Sequence, residues 1–146
     1  MFDYFETSMT LLFRPLFAAI LLTATLLSAP GHAAGLSTED SAKQVWQLLD
    51  YLAVDYGGAV ADGKVKKPDE YKEMQEFAQA AEQQLAALPD RTEKSVLLQQ
   101  AAALKAAIGD KAAPVDVAER ARGLAGALLA TYPDRKSTRL NSSHSS

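Results

Sequence analysis

The sequence predicts an all-α fold, an up-down four-helix bundle preceded by a signal peptide. Ala, Leu, Gln, Glu and Lys dominate residues 37–132, and runs of β-branched residues are absent, which favours helices. Apolar residues in this range recur three and four positions apart, the period of a helix with one buried face. Gly and Pro residues divide the pattern into four segments of similar length, and their short connections force neighbouring helices to run antiparallel.

The predicted signal peptide covers residues 1–33. Arg14 provides a basic region, residues 16–27 form an apolar run, and small residues lead to an expected cleavage after Ala33. The apolar run is shorter than the ~20 residues that span a bilayer, so a membrane anchor is the less favoured alternative. The acidic residues before Met9 do not suit a basic leader, and we expect Met9 to be the true start.

The first helix is expected to begin near Ser37 or Thr38, with acidic residues in its first turn that suit the positive end of the helix dipole. The pair Gly57-Gly58 is expected to end it, because glycine is common just past a helix. Its apolar residues share one face: Ala42, Val45, Trp46, Leu49, Leu52, Ala53 and Tyr56.

Proline marks the limits of the next three helices. The second begins at Pro68 and stops at Pro89, the third covers residues 92–108, and the fourth begins at Pro114, with Pro133 beyond its end. No strand is predicted. Each helix has an apolar stripe: Tyr71, Met74, Ala78, Ala81, Leu85 and Leu88 in the second, Leu97, Ala101, Leu104 and Ile108 in the third, and Val117, Ala121, Leu124 and Leu128 in the fourth.

The globular domain is predicted to cover residues 34–134. It contains 11 Lys and Arg against 16 Asp and Glu, a formal charge of −5, which disfavours nucleic acid and favours cations or basic partners. Residues 135–146 are polar and Ser-rich without an apolar period, and they resemble a translated sequencing adapter, so we expect a disordered, non-native tail. The natural protein is then expected to continue beyond Asp134 as part of a longer chain.

The sequence offers no set of residues for catalysis. It has no Cys, and its two His residues, His32 and His144, lie in the predicted signal peptide and tail. A domain without imidazole and thiolate excludes the common nucleophilic triads, zinc sites and His-ligated haem. We therefore expect a protein that is not an enzyme and that holds no haem.

The remaining metal ligands are oxygen atoms, which suit hard cations such as Fe³⁺ or Ca²⁺. The Gly-rich loop between the first two helices would bring Asp55, Asp62, Glu70 and Glu73 together at one end of this helical hairpin, as a candidate metal site. The alternative, favoured by the residues alone, is an exposed acidic face whose first-turn acids interact with the helix dipole. The basic run Lys64, Lys66 and Lys67 is interpreted as a solvated loop.

The segment DYLAVDYGGAVADGKVKKPDEYKEM, residues 50–74, resembles the exported N-terminal domain of bacterial high-affinity iron permeases, the oxidase-coupled iron transporter family. The resemblance extends over residues 42–132. The chain lacks the Arg-Glu-x-x-Glu motifs of the permease part and a haem-attachment motif. The acidic and tyrosine positions that match the family are Asp50, Tyr51, Asp55, Tyr56, Asp62, Glu70, Tyr71 and Glu73.

This resemblance implies a periplasmic domain of an iron permease that assists iron uptake by weak iron binding or delivery. Its implied partners are a permease domain of the same polypeptide or complex, anchored in the inner membrane, and a periplasmic iron or electron donor. The alternative function is a structural or docking module that binds a periplasmic partner protein without metal. A free-standing enzyme is the third and least favoured alternative.

Overall fold

The structure, a computed structural model, describes residues 35–134. The signal peptide predicted for residues 1–33 and the tail predicted for residues 135–146 lie outside the described residues and stay predictions. The elements in chain order are α1 (Thr38–Ala59), β1 (Val60–Ala61), β2 (Lys64–Val65), α2 (Pro68–Ala86), α3 (Lys94–Gly109) and α4 (Pro114–Thr131).

The four helices form an antiparallel bundle, as the sequence predicts. Each helix packs against the next one in the chain, and α4 closes the ring by packing against α1, in the most extensive contact of the bundle. The buried face of α4 carries small residues such as Ala121, which allow this close approach. The bundle centre is apolar, and its largest fully buried side chains include Tyr56, Leu49, Leu52, Met74, Leu85, Leu97, Leu104, Ile108, Leu124 and Leu128.

Helix α1 begins where the sequence predicts. Ser37 is its N-cap residue, and the Ser37 hydroxyl accepts a hydrogen bond from the Asp40 backbone N–H at 3.1 Å. This bond satisfies one of the N–H groups that the first turn of a helix leaves unpaired. The following helices α2 and α4 both have proline in the first turn, again as predicted.

The predicted end of α1 at Gly57-Gly58 is wrong, because the helix continues through both glycines to Ala59. Tertiary packing outweighs the weak helical preference of glycine here: Tyr56 and Ala59 are both fully buried on the inward face. The Val60 N–H then bonds to the Tyr56 carbonyl and caps the helix.

The expectation of no strand is also wrong. Strands β1 and β2 form a short antiparallel hairpin with Val60 paired to Val65. Asp62 and Gly63 both have positive φ, 54° and 69°. A two-residue turn of this kind is the usual connection of a tight hairpin, and Asp-Gly is one of its preferred sequences. The hairpin is secured by Val60, which is fully buried.

Tyrosine hydroxyls tie the helix connections to the bundle. Tyr56 donates to the Ala112 carbonyl in the α3–α4 connection, and Tyr71 donates to the Ile108 carbonyl at the end of α3, each at 2.8 Å. At the other end of the bundle, Tyr132 donates to the Pro89 carbonyl in the α2–α3 connection. Helix α3 begins at Lys94, later than the predicted residue 92, because residues 92–93 still belong to a turn.

Candidate functional site

The predicted metal ligands lie where α1 ends and α2 begins. The hairpin returns the chain so that the first turn of α2 faces the last turn of α1. A Cβ atom placed on Gly58 would lie 3.6 Å from Glu70 Oε2, so the Glu70 carboxylate rests directly against α1. Glu70 is half-buried, and its Oε1 atom pairs with the Lys67 ammonium at 3.3 Å. This carboxylate is therefore held at the interface between the two helices.

Tyr51 of α1 lies close to three carboxylates in this region. Its ring meets Phe77 of α2 edge-on, with ring centroids 4.9 Å apart and an interplanar angle of 85°. Burial first, and then the charges of Asp55, Glu73 and Glu70 in that order of importance, raise the pKa of Tyr51 to about 12. Because negative charges disfavour a phenolate, this shift places all three carboxylates near one phenol.

The pKa of Asp55 is also shifted by burial and by neighbouring carboxylates. Burial raises the pKa of the Asp55 carboxyl group, and the charges of Glu70 and then Asp50 raise it further. Asp55 and Glu70, which belong to different helices, therefore repel each other across the helix interface. A cation placed between them would relieve that repulsion and gain the attraction of both carboxylates.

Asp62 does not join this group. It lies in the turn between β1 and β2, and its charge is not among those that raise the pKa values of Tyr51 and Asp55. Of the predicted set, the structure brings Asp55, Glu70 and Glu73 together around Tyr51. We expected the Gly-rich loop to bring Asp62 to the other acids, but this segment forms a tight hairpin with Asp62 in its turn.

Within residues 35–134, no group of three or more His, Cys, Asp or Glu side chains has the arrangement of a metal site. The three carboxylates thus share one region without forming a preassembled set of ligands, and metal binding stays a prediction. Over the same range, no helix is long and apolar enough to cross a membrane.

Sequence reasoning missed the role of Lys67, which was interpreted as part of a solvated loop. The signal was the spacing Lys67-Pro68-Asp69-Glu70, since residues three apart at a helix start can form an ion pair. Neither Lys64 nor Lys66 has an ionic partner among the described residues, and both are exposed. Lys67 is therefore distinct from the two lysines that precede it.

A second feature lies at the opposite end of the bundle. An open cleft of about 480 Å³ is lined by Thr38, Glu39, Arg91, Ala130, Thr131, Tyr132 and Pro133. The Arg91 guanidinium carbon lies 5.8 Å from the centroid of the Tyr132 ring, within the range of a cation–π contact. The lining combines a carboxylate with a guanidinium, so its charge indicates no single class of ligand.

Comparison with known protein families gives one match. Residues 34–134 match the iron permease-associated 4-helix bundle domain, a range that includes every described helix. This match confirms the resemblance seen in residues 50–74 and the predicted fold. Neither the curated proteins nor the solved structures gave a significant match.

Proposed function

The chain belongs to the family of iron permease-associated 4-helix bundle domains, and on that basis we propose that it is the periplasmic, non-enzymatic domain of an iron permease, where it binds iron weakly and delivers it. Family membership gives the chain a role within an iron permease. The periplasmic location, the binding of iron and the absence of enzymatic activity are our proposals.

One observation carries the proposal for iron. Asp55 on α1 and Glu70 and Glu73 on α2 lie close enough to Tyr51 for their charges to raise its pKa, on a domain whose formal charge is −5. Iron is a hard cation that accepts carboxylate oxygens as ligands. Exposed or half-buried carboxylates that do not form a preassembled set of ligands favour weak, exchangeable binding, which suits a cargo ion that is passed on.

The proposed location and partners follow from the rest of the chain. The predicted signal peptide at residues 1–33 supports export. The permease part of the same polypeptide or complex is the proposed recipient of the iron, and a periplasmic iron or electron donor is the proposed source. The acidic surface argues against nucleic acid as a partner.

Iron binding is tested by anaerobic calorimetric titration of the 146-residue chain with Fe²⁺, followed by a second titration with Fe³⁺ in a weak chelator. We expect the double variant Asp55→Asn/Glu70→Gln to bind at least about tenfold more weakly, a loss of ~1.4 kcal/mol. The matched control is Glu93→Gln/Glu119→Gln, which removes the same charge from two exposed positions, one just before α3 and one on α4.

The control variant should retain its affinity within about twofold, because charges beyond the ~8 Å screening length at physiological salt contribute little. Equal affinities for the two double variants would show that only net charge matters, and the named site would then be wrong. Export is tested separately by fusing residues 1–40 to alkaline phosphatase lacking its own signal, which is active only outside the cytoplasm.

A second candidate function is a docking module for a periplasmic protein without metal. It is favoured by Val54, which is 65% exposed on α1. This exposed apolar residue directly precedes the acidic Asp55. This function would be favoured if the chain captures a periplasmic protein and binds no iron. The substitution Val54→Asp should then abolish the capture.

A further inference from the structure

The outer face of α4 carries five exposed residues that alternate four and three positions apart: Val115, Glu119, Arg122, Gly126 and Leu129. At ~100° per residue they lie within an arc of ~80°, so they form one stripe along the helix. This spacing is the one by which two helices pack along each other in a coiled coil. Val115 is 62% exposed and Leu129 is 43% exposed, although both side chains are apolar. This α4 stripe is therefore suited to contact with a second helix.

The two charged residues of the α4 stripe have no ionic partner within the described chain. Neither Glu119 nor Arg122 belongs to an ion pair among residues 35–134, although residues three apart on a helix can pair with each other. Carboxylates and guanidinium groups form strong two-bond contacts when their geometry allows. A surface that fits the stripe should therefore offer the opposite charge at each of these two positions.

Gly126 forms a notch in the α4 stripe. A Cβ atom placed there would meet no other atom within 4 Å, so no contact inside the domain requires glycine. Glycine in the interior of a helix is less favourable than alanine. A residue without a side chain leaves a hole that a side chain of a neighbouring helix can fill. The stripe thus presents a knob at Val115 and a hole at Gly126.

A second copy of α4 complements these features in a single register. In an antiparallel pair with a two-fold axis between residues 120 and 121, Val115 lies opposite Gly126 and Glu119 lies opposite Arg122. This follows because the two members of each pair are equally far from the axis. Each contact occurs twice by symmetry, so a valine fills each notch and two carboxylate–guanidinium pairs flank the axis.

We propose that α4 is the interface of a homodimer, in which two copies of the domain pack antiparallel through Val115, Glu119, Arg122 and Gly126. These four residues carry no net charge, so two domains of formal charge −5 meet without placing like charges opposite each other. A single helix pair buries less surface than the ~1,200 Å² of stable interfaces, so the dimer is weak and concentration-dependent. Dimerisation is independent of iron and goes beyond the proposed function.

The dimer is tested by sedimentation equilibrium of the full chain at concentrations up to roughly 0.5 mM, because a small interface needs a high concentration. The substitution Gly126→Ala fills the notch in both copies and should raise the dissociation constant at least about tenfold. The matched control is Gly123→Ala. Gly123 is equally exposed and open, but it lies ~80° from the centre of the α4 stripe. This control should change the dissociation constant by less than about twofold.

Stability measurements separate loss of the interface from damage to the fold. In dilute solution both Gly126→Ala and Gly123→Ala should raise the unfolding free energy of the monomer, because alanine favours the helix and meets no other atom at either site. Gly126→Ala should therefore make the monomer more stable and the dimer weaker, whereas a structural defect would lower the stability of both.

A charge exchange tests the pairing of Glu119 with Arg122 of the second copy. Each single substitution, Glu119→Arg or Arg122→Glu, places like charges opposite each other twice and should raise the dissociation constant at least about fivefold. The double variant Glu119→Arg/Arg122→Glu restores opposite charges and should return the dissociation constant to within about twofold of the wild type. In a parallel pair each residue would face its own copy, so this exchange could not restore a lost contact.

A wild-type chain that stays monomeric at every concentration would overturn the proposal and leave a partner of different sequence as the occupant of the α4 stripe. A dimer that tolerates Gly126→Ala and the single charge substitutions would also overturn it, because the contact would then lie elsewhere. A double variant that fails to restore the dimer would do the same. A dimer weakened by each single substitution and restored by the charge exchange would support it.

Discussion

Removal of the Tyr56 hydroxyl should destabilise the bundle measurably. Tyr56 is only 1% exposed, and its hydroxyl reaches from α1 to the Ala112 carbonyl in the α3–α4 connection, at 2.8 Å. The substitution Tyr56→Phe keeps the buried ring and deletes only the hydrogen bond. The stability change therefore reports how much this single bond contributes to holding the connection.

The expected loss is about 1 kcal/mol at neutral pH. A typical hydrogen bond contributes ~0.5–1.5 kcal/mol, and leaving a buried acceptor unpaired raises the cost to ~3 kcal/mol. Ala112 is half-buried, so water partly replaces the lost donor and the lower figure applies. For a domain of about 100 residues, 1 kcal/mol corresponds to a fall in Tm of roughly 4–8 °C.

The difference in unfolding free energy between the wild type and Tyr56→Phe should depend on pH in the alkaline range. Burial, and secondarily the charge of Tyr71, raises the pKa of Tyr56 to about 12, above the value of ~10 in an unfolded chain. The stabilisation that the protonated Tyr56 hydroxyl provides is fully present below pH 10 and is lost as the pH rises towards 12. By pH 11, the wild type should lose about 1 kcal/mol more than Tyr56→Phe, which has no proton to release at this position.

The assay is urea denaturation followed by circular dichroism at pH 8 and pH 11, for the wild type and Tyr56→Phe. The difference in unfolding free energy should be near 1 kcal/mol at pH 8 and should nearly vanish at pH 11. A variant that equals the wild type at pH 8, or a difference that persists unchanged at pH 11, would refute the reasoning. Tyr71→Phe serves as a comparison, since it removes a tyrosine hydroxyl that bonds to the last turn of α3 and not to the α3–α4 connection.

Three further substitutions test the fold by the same denaturation assay. Gly126→Ala should stabilise α4 by ~0.5–1 kcal/mol, because a Cβ atom there meets no other atom within 4 Å; a loss of stability would contradict this. Gly63→Ala should destabilise the hairpin by ~1–2 kcal/mol, because its φ of 69° is unfavourable for alanine, and an unchanged midpoint would argue against that turn. Leu104→Ala should lose ~2–5 kcal/mol, because Leu104 is 1% exposed in the core; a loss under 1 kcal/mol would place it outside the core.

The fold could be predicted from the sequence because helix formation here depends on strong, repeated signals. Apolar residues at helical spacing identify the buried faces, and proline at residues 68 and 114 marks two helix starts correctly. The end of α1 could not be predicted, because glycine lowers helix propensity by only ~1 kcal/mol, less than the packing of Tyr56 and Ala59 provides. Strands of two residues are too short to show alternation, so only Asp62-Gly63 indicated the hairpin.

The candidate site was only partly predictable. Asp55 and Glu70 were placed correctly near each other, because each lies beside an apolar stripe on one of two adjacent antiparallel helices. Asp62 was grouped with them because the Gly-rich loop was expected to bring it to the same end of the helical hairpin, and the turn between β1 and β2 gives it a separate position. The three-residue spacing of Lys67 and Glu70 permits an ion pair, but only the structure shows that the pair forms.

The arrangement of acids and tyrosines at this end of the bundle would fix the backbone of the proposed iron ligands. Asp55 directly precedes Tyr56, and Glu70 directly precedes Tyr71. Both tyrosines are held by hydrogen bonds to carbonyls at the end of α3 and in the α3–α4 connection. The backbone that carries each carboxylate is therefore fixed by a neighbour that points into the bundle, while the carboxylates keep contact with water. Such a site would position an ion by rigid backbone and release it through solvated ligands, which are the two properties that iron delivery requires.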